Sequence, residues 1–203
     1  MTSRSVKKRI DLYMSPRSEI QYEEIRNDKV DLIMNSALDL FANQGYNATS
    51  ISQIAKQAGI SKGLMYNYFR SKEDLLKRII IGGLQAFLDL LQVKDVKNIQ
   101  KKELVQFIET NLSLIKINAA YYKLYFSLAF QSATFNILEV EMKQIFEKVF
   151  SIFIKYYTQN GERNPFVKTR FLLATFDGIG IHYLSDTETF PLDEVKELMI
   201  ELL

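Results

Sequence analysis

Three features of the sequence predict an all-α protein. Apolar residues recur at helical spacing almost everywhere after residue 27, helix-starting and helix-stopping residues punctuate that pattern, and no strand-like alternation or Gly-rich phosphate loop interrupts it. About nine helices are expected.

Val30, Ile33, Met34, Ala37, Leu38 and Phe41 fall on one face of a first helix. Asn27 or Asp28 is predicted to cap its start, and Gly45 to end it in a left-handed conformation. Ser50-Ile51-Ser52-Gln53 then reads as a capping box opening a second helix, whose inner face continues through Ile54, Ala55 and Ala58. Gly59 breaks that helix and Ser61 starts another after only Ile60, so two short helices must cross steeply about a tight turn. Ser71 to Asp74 caps a longer helix, predicted to run to about Leu91. After the polar stretch Lys94–Lys102, helices are predicted over about Glu103–Asn118, Ala119–Gln131, Thr134–Gln159, Pro165–Leu184 and Pro191–Leu203, with Gly161 as a stop and Asn164-Pro165 as a start.

Composition removes several classes of function. The 203-residue chain has no cysteine and one histidine, so disulfides, thiolate zinc sites and thiol catalysis are excluded. No nucleophile–base pair, carboxylate metal motif or cofactor loop is visible, so neither an enzyme, a cofactor nor a metal site is expected. His182 and Asp186, one helical turn apart, are too few ligands for a metal, and a structural histidine is the simpler reading. The N-terminus lacks an apolar signal segment and no stretch is apolar for long enough to span a bilayer, which predicts a cytoplasmic protein with no membrane partner.

Charge is unevenly spread although the formal net charge is only +2. Between Thr49 and Arg78 stand six basic residues, Lys56, Lys62, Arg70, Lys72, Lys77 and Arg78, against Glu73 and Asp74. From Ile79 onward 13 basic residues face 15 acidic ones, so the basic excess is local, as a module binding a polyanion requires. A helix entering the major groove needs a short turn before it and an apolar back. Met65 and Phe69 supply that back, against Leu38, Phe41, Ile54 and Ala55. The other side presents Lys62, Gly63, Leu64, Tyr66, Asn67 and Tyr68. Ser61 as N-cap leaves first-turn N–H groups pointing outward, where a helix dipole favours phosphate.

The run from Ala37 to Tyr46, then Thr49 to Gly59, then Ile60 to Leu75 resembles the TetR family signature from end to end, over about a quarter of the chain. The resemblance implies an N-terminal helix-turn-helix domain at residues 27–78, after an extension at 1–26, and a ligand-binding and dimerising domain at 79–203. It puts Tyr66 and Tyr68 at groove-facing and phosphate-binding positions, Lys72 at a phosphate-contacting helix start, and Thr49 and Ser50 on the phosphate side of the second helix. Lys62 reads equally as a base or a phosphate contact. Leu64 replaces a small hydroxyl residue common among relatives. It either packs on a thymine methyl or completes the core. Gly63 allows close backbone approach to DNA. Val6 to Arg9 reads as a basic arm for the minor groove or as a plain tail.

Beyond Leu91 the signals are compositional. The dense aromatics suit a lipophilic or aromatic small-molecule effector, and Phe107, Tyr125, Phe126, Phe130, Phe150 and Phe176 are taken as its pocket. The resemblance implies a homodimer through the last two helices, where Ala174, Gly178 and His182 face Val195, Leu198, Met199 and Leu202. Asp177 is left as a partnered acid, a dimer contact or a pocket group. Gly82-Gly83 is expected to interrupt the connecting helix as a flex point, or else to mark close packing. The function expected is a regulator of transcription, a repressor released from palindromic operator DNA by a ligand. The alternative is a DNA-organising factor whose C-terminal domain docks a protein.

Overall fold

The computed structural model describes the backbone of residues 19–93, 95–129 and 138–203, and the side chains of 26–93, 95–128 and 138–203. Nine helices and no strands are present among these residues. They are α1 (Glu19–Gln44), α2 (Ile51–Gln57), α3 (Lys62–Met65), α4 (Lys72–Asp89), α5 (Lys101–Ile117), α6 (Ala119–Ala129), α7 (Glu139–Gln159), α8 (Pro165–Ser185) and α9 (Leu192–Glu201). The all-α expectation holds. The basic arm at Val6 to Arg9 lies outside the described residues.

Local chemistry sets most of the boundaries. Gly45, Gly59 and Gly161 adopt positive φ angles of 87°, 64° and 74°, which a side chain would strain, and each follows the end of a helix. Ser50 accepts from the Gln53 N–H at 3.2 Å while Gln53 Oε1 accepts from the Ser50 N–H at 2.8 Å, completing the expected capping box. Ser61 and Ser71 cap α3 and α4 by accepting from the Leu64 and Asp74 N–H groups. Two expectations fail here. The first helix already runs through Glu19–Gln44, so Asn27 and Asp28 lie within it and cap nothing. Gly82-Gly83 does not break α4, which is continuous across the pair.

The buried residues fall into two clusters joined by bridging side chains. One contains Ile33, Phe41, Ile54, Met65, Phe69, Leu75 and Ile80 of the first four helices, and it continues into Leu124 of α6 and Met142 and Ile145 of α7. The other fills the space among α5, α7, α8 and α9, around Leu104, Phe107, Phe153, Tyr157, Leu172 and Met199. Leu88 and Tyr121 pack against both. Lys77 of α4 also pairs with Glu141 of α7 at 2.5 Å. The N-terminal head is thus seated on α6 and α7 through shared apolar burial and an ion pair.

Candidate nucleic-acid interface and interior cavity

The head buries one side of its third helix and leaves the other open. Met65 and Phe69 are buried, each worth about 1.5–3 kcal/mol of apolar burial. Backbone bonds from the Tyr68 and Phe69 N–H groups to the Met65 carbonyl continue the chain as tight turns beyond α3. Gly59, Ile60 and Ser61 form the turn before it, and Gln57 ties α2 to α1 by donating to Asp39 at 2.8 Å. On the open side Leu64 is 37% and Tyr66 50% exposed. Lys62, Gly63 and Asn67 are exposed beside them, and Tyr68 is half-buried. The core-completing reading of Leu64 is thereby removed. α3 has only four residues, so the dipole argument for phosphate at its start loses its basis.

Two residues expected to touch phosphate face inward. Thr49 is buried, and its hydroxyl donates to the Gly45 carbonyl at 2.9 Å. The Lys72 ammonium donates to the Tyr46 and Thr49 carbonyls at 2.9 and 3.0 Å and lies 4.3 Å from the centre of the Tyr46 ring. These bonds staple the turn between α1 and α2 to the start of α4. Tyr46 extends the staple by donating to Glu73 at 3.3 Å. Burial, then the neighbouring Glu73 charge, raises the Tyr46 phenol well above its usual range. A hydrogen bond from Ser71, its own backbone N–H and Tyr46 hold the Glu73 carboxyl below the ordinary value. Arg78 pairs with Asp74 and lies over the Phe69 ring. Of the six basic residues, Lys56, Lys62 and Arg70 remain exposed without such a role, while Ser50 at the start of α2 is exposed beside them. Sequence reasoning treated the basic residues as one patch because charge counts carry no direction.

Below the head lies a cavity of about 640 Å³, bounded by α4, α6, α7 and α8. Leu84 and Phe87 of α4, Tyr121, Tyr122, Tyr125 and Phe126 of α6, Met142, Phe146 and Phe150 of α7, and Leu173 and Phe176 of α8 make it aromatic and apolar. Tyr125, Phe126, Phe150 and Phe176 thus line it as expected. Phe107 does not: it is buried in the core, edge-on to Phe87 at 4.9 Å. Phe130 lies outside the described residues. Asp177 is accessible to the cavity, and its apolar surroundings push the carboxyl up to about 6. Burial likewise raises the Tyr122 phenol to about 12, and lifts Tyr121 and Tyr125 further. Sequence reasoning passed over Leu84, Phe87 and Met142, which carry no pattern distinct from ordinary core.

On the outer face of α8, Val167, Phe171 and Ile181 are exposed, as are Ala174 and His182, while Gly178 is half-buried with no atom near the place of a β-carbon. Leu198 of α9 is 62% exposed. The rest of the expected α9 stripe turns the other way: Met199 is 2% exposed, and Val195 and Leu202 pack against the chain's own core. The His182 ring stacks on Phe190, and Asp186 accepts from the Thr189 N–H and hydroxyl, so the pair serves the turn after α8.

Residues 33–79 match the model of bacterial regulatory proteins, tetR family. That match takes in the helix-turn-helix segment, residues 33–79. The chain is 33% identical over 85 residues to the fatty acid metabolism regulator protein of Bacillus subtilis, covering 41% of this chain and 43% of that one. It is 26% identical over 128 residues to IcaR, the negative transcriptional regulator of the biofilm operon icaADBC in Staphylococcus epidermidis, covering 63% and 68%. The match therefore spans under half of the Bacillus relative. The fold is similar to that of FadR from Bacillus subtilis, solved with stearoyl-CoA, at a TM-score of 0.69 and 22% identity over 84% of this chain and 95% of that one. No helix among the described residues is long and apolar enough to cross a membrane.

Proposed function

We propose that this chain is a TetR-type DNA-binding transcriptional repressor that leaves its operator when a small lipophilic molecule fills the cavity below the head. The observation that carries this reading is α4, one uninterrupted helix shared by both sites. Its first residue, Lys72, staples the turn that positions α2, and Leu84 and Phe87 farther along it form part of the cavity wall. The separation from Lys72 to Leu84 is about 18 Å at the rise of an α-helix. Tyr121 links wall to helix directly, because its hydroxyl donates to the Ile80 carbonyl at 2.9 Å. A ligand that displaces Tyr121 or Phe87 displaces α4 as a rigid body, and the head moves with it.

The open face of the head supplies the DNA contacts. Lys62, Leu64, Tyr66 and Asn67 reach base edges, with Leu64 against a thymine methyl, while Ser50, Ser61, Gly63 and Tyr68 approach the backbone. Lys72 and Thr49 act by holding the turn in place.

Dimerisation completes the reading. Val167, Phe171, Ala174, Gly178 and Ile181 succeed one another at alternating spacings of four and three residues, the pattern of a helix seam packed against other helices. Leu198 of α9 adds to this face. A second copy covering it gives a two-fold dimer, whose recognition elements must lie one DNA turn apart, ~34–36 Å, on a palindromic operator.

Genome-wide mapping of bound DNA, followed by binding to the recovered site at several salt concentrations, tests the proposal. A near-palindromic site, bound with a steep salt dependence and released by a cavity ligand, is expected. Many dispersed sites with no palindrome would favour a DNA-organising factor instead, and absence of DNA binding would sink both.

A further inference from the structure

The cavity wall sets the carboxylate of Asp177, open to the solvent of the cavity, beside aromatic rings, with Glu139 and Glu147 on α7. Asp177 and Tyr125 line the same cavity, and the Tyr125 ring stacks parallel to Tyr121 at 6.4 Å and meets Phe126 edge-on at 5.1 Å. No ion pair among the described residues includes Asp177. The two cations at the cavity are Lys143 and Arg170. The Arg170 guanidinium is held between Phe150 and Phe166, 5.0 and 5.5 Å from their ring centres. It stands two helical turns before Asp177, about 10 Å along α8.

A carboxylate open to a cavity is free to pair with an opposite charge that enters it. The faces of aromatic rings are electron-rich and attract cations, most strongly where water is excluded. Both features call for the same ligand. A fatty carboxylate would instead meet three acids, Asp177, Glu139 and Glu147, against the two cations Lys143 and Arg170, one of them already held between aromatic rings.

We propose that the cavity binds a lipophilic cation, its charged centre seated against Asp177 and the rings of Tyr125 and Phe126, its apolar body running along Met142 and Phe176. The proposal rests on the effector reading above and gives that effector a chemical class.

Facing Asp177 around the cavity are Tyr121, Tyr122 and Tyr125 from α6, Glu139, Lys143 and Glu147 from α7, and Arg170 on its own helix, while α4 contributes only Leu84 and Phe87. Burial raises all three tyrosine phenols, so they stay neutral through the acid range. Apolar walls lift the Asp177 carboxyl to about 6, so its charge is lost as pH falls through that value.

Three probes sharing a naphthylmethyl body test this with the full chain: the trimethylammonium cation, its neutral isostere with a tert-butyl group in place of the ammonium, and naphthaleneacetate. Calorimetric titration at about pH 7.5 is expected to show the cation binding at least about tenfold more tightly than the neutral probe, with naphthaleneacetate weakest. Asp177→Asn should erase the advantage of the cation and leave the neutral probe unchanged, while Asp177→Glu should retain it. The wild-type chain should lose the same advantage at about pH 5, a readout independent of whether the variants fold. Equal affinity for cation and neutral probe, or preference for the anion, overturns the proposal. Operator binding, measured on the same preparation, separates the two readings. Retained operator binding without cation preference sinks this inference alone, and cation preference without any DNA binding sinks the repressor.

Discussion

The ring of Tyr121 occupies the space that a side chain on Gly83 would need, so that a β-carbon there would overlap the ring. Gly83 therefore marks a close crossing of α4 and α6 at the cavity wall. Gly82, one residue earlier, has no atom within 4 Å of the same construction. The two substitutions should part company. Gly83→Ala is expected to destabilise the fold by about 1–3 kcal/mol through overpacking. Gly82→Ala should be neutral or stabilising by up to about 1 kcal/mol, since alanine favours the helix. Urea denaturation of each single variant checks this, and equal effects would refute the crossing.

Lys72 is a structural clamp in this fold. Lys72→Met should destabilise the protein by about 1–2 kcal/mol, because two carbonyls lose a charged donor in a half-buried turn. It should also weaken operator binding, while the salt dependence of what binding remains stays unchanged. A salt slope shallower by about one would show instead that Lys72 neutralises a phosphate.

The open face of the head should separate stability from binding. Tyr66→Ala and Lys62→Ala are expected to leave the denaturation midpoint within about 0.5 kcal/mol of wild type, as befits exposed positions. Each should weaken operator binding by roughly 1–3 kcal/mol if it contacts a base. Replacing thymine by uracil beneath Leu64 should weaken binding of the wild-type protein and leave Leu64→Ala indifferent.

Adjacent residues of α9 should report on different interfaces. Leu198→Asp is expected to shift sedimentation toward the monomer with little change in its folding, because Leu198 is largely exposed. Met199→Ala should instead destabilise the subunit by about 2–5 kcal/mol, because Met199 sits in the core. A dimer indifferent to Leu198→Asp would move the interface elsewhere.

The raised carboxyl of Asp177 fixes the sign of a stability change with pH. Between the unfolded value near 4 and the folded value of about 6, the native state holds the proton that the unfolded chain has released. This group therefore favours folding at the acid end of that window, and its contribution declines as pH rises through it. Asp177→Asn should be more stable than wild type at neutral pH, and the difference should shrink toward pH 4. Denaturation curves across that range test it, and a difference that grows on acidification would show a paired, stabilising carboxylate.

Helix type, caps and stops were legible because they depend on neighbours three or four residues away. Ser50 with Gln53, Ser61 with Leu64, and the glycines at 45, 59 and 161 meet their partners or adopt their positive φ as the local pattern predicts. The extent of α1 before Asn27 was not legible, because the two further turns, Glu19 to Arg26, are mostly polar and as compatible with tail as with helix. Met65 and Phe69 were assigned inward from their spacing alone, and the structure buries both.

The sequence by itself determined an all-α chain with a helix-turn-helix head, since periodicity and capping are local physics. Only the tertiary structure decided that Phe107 is core while Tyr125 lines a cavity, that Lys72 turns toward its own backbone, and that Leu198 and Met199 face opposite ways. An apolar or charged side chain carries its preference in the sequence. The group that satisfies the preference comes from an element remote in the chain, and packing alone brings the two together.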